Sequence, residues 1–340
     1  MSVPIIAFFN NKGGVGKTTL VYHLTWMYAD LGLRVLAADL DPQANLTAAF
    51  LDEEQLEQIW LADGRRSTVY GAVRPLIRGT GDVDEISIQA VEESDARAGL
   101  LPGDLMLSAF EAQLSEVWPK CMDRDERSFR VTSAFYRIIQ AAARRWEADL
   151  VLMDLGPNLG AINRASLISS YAVVIPLSPD LFSLQGLRNL GPALREWREQ
   201  WEERKRVNPA ADLALPEGRM EPAGYVIQQH SVRLDRPVRS YDKWISRIPG
   251  EYHRSILDIK TPAPETPKDD PECLSLLKHY RSLIPMAQEA GKPIFHLKPA
   301  DGAIGSHYLA VQEARRDFES LARKILARIE LNLPASPSGY

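Results

Sequence analysis

Two lysines share one short glycine-rich run, Asn10-Asn11-Lys12-Gly13-Gly14-Val15-Gly16-Lys17-Thr18-Thr19. A loop of the form G-x-x-x-x-G-K-[ST] cradles a nucleotide's phosphates with its backbone N–H groups, while its lysine and hydroxyl reach the β/γ-phosphates and Mg²⁺. Gly16-Lys17-Thr18 ends that pattern, but Asn11 stands where the first glycine belongs, and a second cation, Lys12, follows it. The backbone from Gly13 through Gly14, Val15, Gly16, Lys17 and Thr18 to Thr19 is therefore expected to bind a polyphosphate. Lys17 would meet the β and γ phosphates and the Thr18 hydroxyl would hold Mg²⁺.

Three carboxylates stand where such chemistry needs them. Asp39 and Asp41 follow the apolar segment Leu33 to Ala38, and Asp154 ends the run Leu150-Val151-Leu152-Met153. Strands of this kind present their C-terminal ends to ligands in open α/β sheets. One of Asp39 and Asp41 could reach the magnesium shell and the other a water behind the γ-phosphate. Asp154, after a run apolar on both faces, is placed to hold Mg²⁺.

On either side the loop has the elements it requires. Pro4 to Phe9 has strand length, and Thr18 to Leu31 is long enough and apolar enough at helical spacing to be the helix that follows. Beyond them strands are expected at Ala172 to Pro176, Ala223 to Ile227 and Ile294 to Phe295. Helices are expected at Ala44 to Leu51, Tyr70 to Ile77, Leu105 to Val117, Thr132 to Trp146, Asn163 to Ser170, Leu181 to Trp201, Pro237 to Ile248, Cys273 to Ala290 and Gly305 to Ile329. Alternation of this kind predicts an α/β fold, a doubly wound and mostly parallel sheet with helices on both faces.

The run Lys12 to Thr19 resembles the deviant Walker A loop of the ParA/MinD superfamily. Asp39-Leu40-Asp41-Pro42-Gln43 and Leu150 to Pro157 resemble that superfamily's next two signatures, in the same order. Fainter likeness to the chromosome and plasmid partition branch continues through Gly99 to Leu105, Val174 to Leu177, Gly224 to Ile227 and Gly291 to Phe295. The resemblance implies a Mg²⁺-dependent ATPase in which Asp41 orients the attacking water, while Thr18, Asp39 and Asp154 serve the metal. It further implies that Lys12 crosses a dimer interface to the partner's nucleotide, so that two subunits clasp two ATP molecules. Gln228, just after the Ala223 to Ile227 strand, corresponds to a polar residue that touches the base. Slow hydrolysis stimulated by a ParB-like or other adaptor protein is the expected working mode.

Composition agrees with a soluble globular chain: 45% hydrophobic and 25% charged residues over 340 positions. Large doubly wound sheets often form one domain of this length. The expectation is one domain over 1–332 with surface insertions near 117–132, 202–222 and 230–290, then a tail over 333–340. Lys120 to Arg130 reads as a solvated charged loop, Glu202 to Pro222 as a polar connection, and Lys260 to Pro271 as an extended proline-rich stretch. Cys121 and Cys273 are single and distant, which disfavours a disulfide framework, a zinc site or the paired-cysteine cluster of the related nitrogenase iron protein. The N-terminal apolar run is too short for a signal segment and no run approaches a membrane span, so a cytoplasmic protein is expected. The end, Leu333 to Tyr340, lacks the basic amphipathic character of a membrane-binding tail and the tyrosine cluster of kinases built on this fold.

The formal charge of −5 gives no global attraction to a polyanion. Between His230 and Lys260, however, seven Lys or Arg face four Asp or Glu. Arg233, Arg236, Arg239 and Arg247 are the candidate contacts for non-specific DNA, which would bring nucleoid association with it. Two other readings stay open: a regulatory module in which ATP only switches partner contact, and a metabolic ligase of the dethiobiotin synthetase type.

Overall fold

The computed structural model describes residues 2–61, 67–91, 94, 96–228, 243–278, 280 and 282–334. Eight strands form one sheet: β1 Ile5–Phe8, β2 Val35–Asp39, β3 Gln89–Ala90, β4 Ala98–Leu101, β5 Leu150–Asp154, β6 Ala172–Leu177, β7 Glu221–Gln228 and β8 Cys273–Leu277. Their order is β3-β4-β2-β5-β1-β6-β7-β8. Every pairing is parallel except that of the short edge strand β3 with β4.

Because strand side chains alternate between faces, each inner strand feeds two cores. Ile5, Ala7 and Phe9 of β1 and its exit enter one core with Leu36, Ala38, Val151 and Met153. Ile6 and Phe8 enter the other with Val35, Ala37, Leu150 and Leu152. The first core is closed by α4 (Val69–Arg78), α5 (Glu111–Lys120), α7 (Ala134–Trp146), α8 (Ala161–Ile168) and α9 (Leu181–Arg206). The second is closed by α1 (Lys17–Asp30) and the C-terminal helix Ser306–Arg328. All of these inner strands carry near-continuous apolar runs, as strands covered on both faces must.

α1 is buried along most of its length. His23, in its second turn, has its Nδ1 2.8 Å from the Thr19 carbonyl oxygen, and its Nε2 accepts the Ile294 N–H at 3.2 Å. Burial pushes this imidazole down to about 4, so it stays neutral at ordinary pH and acts as a fixed polar tie between α1 and the C-terminal half.

Several expected elements change type. Cys273 to Ala290 was expected as one helix, but the chain forms β8 over Cys273–Leu277 and a helix only at Leu283–Glu289. Periodicity cannot separate a short apolar run in a helix from one in a buried strand, and pairing with β7 decides it here. Ile294 to Phe295, expected as a strand, is a 3₁₀ turn, Ile294–His296, entered from Pro293. The charged loop read at Lys120 to Arg130 is largely ordered as helix. A 3₁₀ turn, Cys121–Asp123, leads into α6, Glu126–Thr132, whose N-cap Asp125 accepts the Ser128 N–H. The expected helix Leu105 to Val117 splits into a 3₁₀ turn, Leu105–Phe110, and α5. Two helices follow β2: α2 over Asn45–Phe50, as expected, and α3 over Glu53–Trp60, which opens on a capping box between Asp52 and Gln55. The helix expected at Pro237 to Ile248 lies outside the described residues as far as 242; within them 243–245 are helical, a turn follows, and another helix runs Ile248–Ser255.

That helix docks on α9 at Gly191, where a methyl group would overlap the Ser255 carbonyl oxygen. Arg195 closes the same contact by donating to the Ser255 oxygen at 2.8 Å, and Arg188 pairs with Glu251 at 2.8 Å. Gly191→Ala should therefore destabilise the protein by about 1–3 kcal/mol through overpacking, measured as a lower urea midpoint at unchanged slope.

Candidate phosphate and metal site

Parallel register sets the site. Phe8 pairs with Asp154 and Asp154 with Asp39, so β1, β5 and β2 end at one level. The chain reverses direction across the sheet here, with β2 to one side of β1 and β6 to the other, which is the place where open α/β sheets bind ligands.

The loop leaving β1 turns on Gly14 (φ 71°) and Gly16 (φ 77°), both in the left-handed region open to glycine. Gly16 is also the N-cap of α1, and no side chain caps that end, so the first N–H groups of the helix are free to meet an anion. Lys17 bends back over the loop, its Nζ 3.5 Å from the Lys12 carbonyl oxygen. Burial lowers its pKa against the pull of Asp154 and Asp41.

Thr18 donates its hydroxyl to Asp154 Oδ2 at 2.6 Å. The other oxygen, Asp154 Oδ1, is buried and has no hydrogen-bond partner among the described residues. An acceptor left open in that way costs free energy unless a ligand meets it. Desolvation and the neighbouring Asp39 carboxylate push Asp154 up to about 8. Asp39 itself is pushed up to about 7, chiefly by burial. An open carboxylate oxygen beside a threonine hydroxyl and a second carboxylate is an all-oxygen donor set of the kind a hard divalent cation takes.

Asp39 is the more occupied of the two acids. Its Oδ2 accepts from the backbone N–H and hydroxyl of Thr47 at 2.8 and 2.7 Å, and its Oδ1 accepts the Asp41 N–H at 3.2 Å. Asp41 lies beyond the strand end, accepts the Gln43 N–H at 3.0 Å, and faces the loop after β5. Gly156 of that loop lies beside it, where an added Cβ would stand 3.1 Å from Asp41 Oδ1.

Lys12 turns towards α9. Its ammonium pairs with Asp180, the N-cap of α9, and lies 6.0 Å from the centroid of the exposed Phe182 ring. Asn10 braces the start of the loop, donating to the Pro176 oxygen at 2.7 Å and accepting the Lys12 N–H at 2.9 Å. Asn11, which replaces the expected glycine, packs with Asn10 against Gly186 of α9. Gln228 ends β7 against the loop and donates to the Gly16 oxygen at 3.0 Å. A cavity of about 90 Å³ opens beside it, between Gly16, Thr19, Tyr280 and Phe318.

Of the basic candidates, Arg233, Arg236 and Arg239 lie outside the described residues. Arg247 is exposed, and its guanidinium and the Lys243 ammonium lie 5.4 and 5.2 Å from the Trp244 ring centre. Among the described residues no cluster of His, Cys, Asp and Glu fits a metal by number, and no helix is long and apolar enough to cross a membrane.

A family model described as an AAA domain matches residues 3–207, more than half of the chain. The chain belongs to that family, in its ParA/MinD-type branch. This ParA-like chain is 30% identical over 187 residues to the sporulation initiation inhibitor protein Soj of Bacillus subtilis, covering 55% of the chain and 62% of Soj. The aligned stretches span only 42% to 66% of the first curated relatives. Among solved structures, protein DIP2308 from Corynebacterium diphtheriae superposes with a TM-score of 0.71 at 26% identity, covering 96% of this chain and 99% of that one. A putative plasmid partition protein from Borrelia burgdorferi bound to AMPPNP superposes at 0.55 with 18% identity, covering 96% and 99%.

The sequence of this ParA-like chain did not point to Asn10, Thr47 or Asp180. Each acts through a tertiary contact that no local pattern announces, although Asp180 ahead of Leu181 has the form of a helix N-cap.

Asp154 and Asp39 both have folded-state pKa values above the ordinary 3.8. Between about pH 4 and about pH 8 the folded chain thus binds more protons than the unfolded one, and their contribution to stability falls as pH rises. In EDTA, Tm should descend from about pH 6 to about pH 8, and Mg²⁺ should raise Tm most at the alkaline end, since a cation selects the ionised acids. Differential scanning fluorimetry across that range checks both slopes.

Proposed function

We propose that this chain is a Mg²⁺-dependent ATPase that dimerises around ATP and works as a partition or positioning switch. The observation that carries the reading is the pairing of two lysines on one loop with a buried, open carboxylate oxygen at Asp154. Gly13 to Thr19 would bind the phosphates through backbone N–H groups, with Lys17 on the β and γ oxygens. Thr18 and Asp154 would hold Mg²⁺, and Asp39 would stand behind them, its oxygens already engaged by Thr47 and Asp41. By holding that ion, Thr18 and Asp154 would supply cationic charge that neutralises the phosphates. Asp41, free of strand geometry and facing Gly156, would orient the attacking water. The cavity beside Gln228 would receive the base, and the Gln228 amide would brace the loop below it.

Lys12 would leave Asp180 and meet the nucleotide of a second copy. The exchange is electrostatically reasonable, because the pair is part-exposed and a triphosphate offers the ammonium more charge than one carboxylate. Supplying a cation across an interface is worth roughly 10³ to 10⁵ in phosphoryl-transfer rate in systems where it operates. Non-specific DNA binding through Arg233, Arg236, Arg239 and Arg247, and an adaptor that stimulates hydrolysis, complete the proposal.

Two experiments test it. Asp41→Ala should bind ATP normally, hydrolyse it at least about a hundredfold more slowly and accumulate as a dimer, whereas Lys12→Ala should stay monomeric with ATP. Light-scattering chromatography with ATP separates those outcomes, and a dimeric Lys12→Ala would refute the role given to that lysine. Lys243→Ala with Arg247→Ala should weaken DNA binding and flatten the dependence of log K on log salt by about two per protomer. Fluorescence anisotropy over a salt series reads the slope.

A further inference from the structure

The loop that leaves Asp154 is anchored from outside by a carboxylate on another helix. Glu111, the first residue of α5, accepts the Ala161 N–H on Oε1 at 2.5 Å and the Ile162 N–H on Oε2 at 2.8 Å. Those are the opening N–H groups of α8, whose own N-cap, Gly160, offers no side chain. A methyl at Gly160 would stand 2.6 Å from Glu111 Oε1, so glycine there is what lets the carboxylate reach the helix.

The same turn is tied internally. Asn163 donates its amide to the Gly156 oxygen at 2.8 Å and to the Asn158 oxygen at 2.7 Å, and Gly160 N–H donates to Asn158 Oδ1 at 2.8 Å. The loop 156–160 therefore moves with the first turn of α8. That turn is fixed to α5 at two points: Glu111 at its start, and Arg164, which donates to the Leu114 oxygen at 3.3 Å and lies 4.4 Å from the Trp118 ring centre. The loop begins at Gly156, which packs against the Asp41 carboxylate.

We propose that Glu111 is a positioning residue for ATP hydrolysis: by holding the first turn of α8 it sets the 156–160 loop, and through Gly156 the Asp41 carboxylate. The assignment rests on the reading of Asp41 as the group that orients water. Its chemistry is specific to a carboxylate. Two adjacent N–H donors need two acceptor oxygens, and a glutamine of the same shape brings one acceptor and one donor, the donor facing an N–H.

Glu111→Gln, Glu111→Ala and Asp41→Ala, each with the wild type, test it. Turnover is expressed per nucleotide site, with sites counted by titration with mant-ATP, so that misfolded molecules do not enter the rate. Glu111→Gln should lose roughly tenfold to a hundredfold in kcat per site, the scale of a small misplacement of a reacting group, while mant-ATP affinity stays within about twofold. Glu111→Ala should lose at least as much. Hydrogen exchange should quicken in the peptide spanning 156–163 and not in α1. Glu111→Gln turning over like the wild type while Asp41→Ala is inactive would overturn this assignment alone. A lower Tm with unchanged kcat per site would do the same, since a purely structural cap predicts that pattern. Wild-type turnover by Asp41→Ala would overturn both this assignment and the reading beneath it.

Discussion

In-register parallel pairing of β5 with β1 on one side and β2 on the other is the constraint on which the site depends. It brings Phe8, Asp39 and Asp154 to a common level, so the glycine-rich loop, the Asp41 turn and the loop into α8 all leave the sheet side by side. A slip of one residue in any of these strands would turn every side chain to the opposite face, and both cores forbid it. The positions of the charged groups follow from the packing of residues that carry no charge at all.

The assembled charges are unbalanced in a way that favours a ligand. Asp39 and Asp154 are fully buried beside each other, with Asp41 close by, and the described loop cation nearest to them is Lys17, itself held below its usual pKa by burial. Protonation of the acids relieves the repulsion in the bare protein, and a divalent ion would relieve it more completely. A cluster arranged for apolar packing alone would not carry this penalty, and the orphaned oxygen of Asp154 marks where it is concentrated.

The glycine turn between β1 and α1, the placing of Asp39 and Asp154 at strand ends and the alternation of strands and helices were legible from the residues, because each rests on local chemistry: glycines at positive φ, an uncapped helix start, apolar runs bounded by polar turns. What escaped was decided at long range. β8 reads as helix until it is paired with β7, and Ile294–His296 reads as strand until it is seen folded under Phe318. The tie between Lys12 and Asp180 joins residues 168 positions apart. Glu111, read only as part of a helix, reaches the far end of a segment some 50 residues later. Spacing along the chain carries no record of such meetings, whereas it records very well what the nearest neighbours must do.

α9 draws these parts together. With 26 residues it is a rod about 39 Å long at 1.5 Å per residue. One tip carries Asp180; near the other, Arg204 lies against Trp118 of α5, and its middle is wedged at Gly191 against the helix Ile248–Ser255. Pro192 removes one backbone donor just beyond Gly191, so the station where the helix Ile248–Ser255 docks is also where the hydrogen-bond ladder of α9 is interrupted.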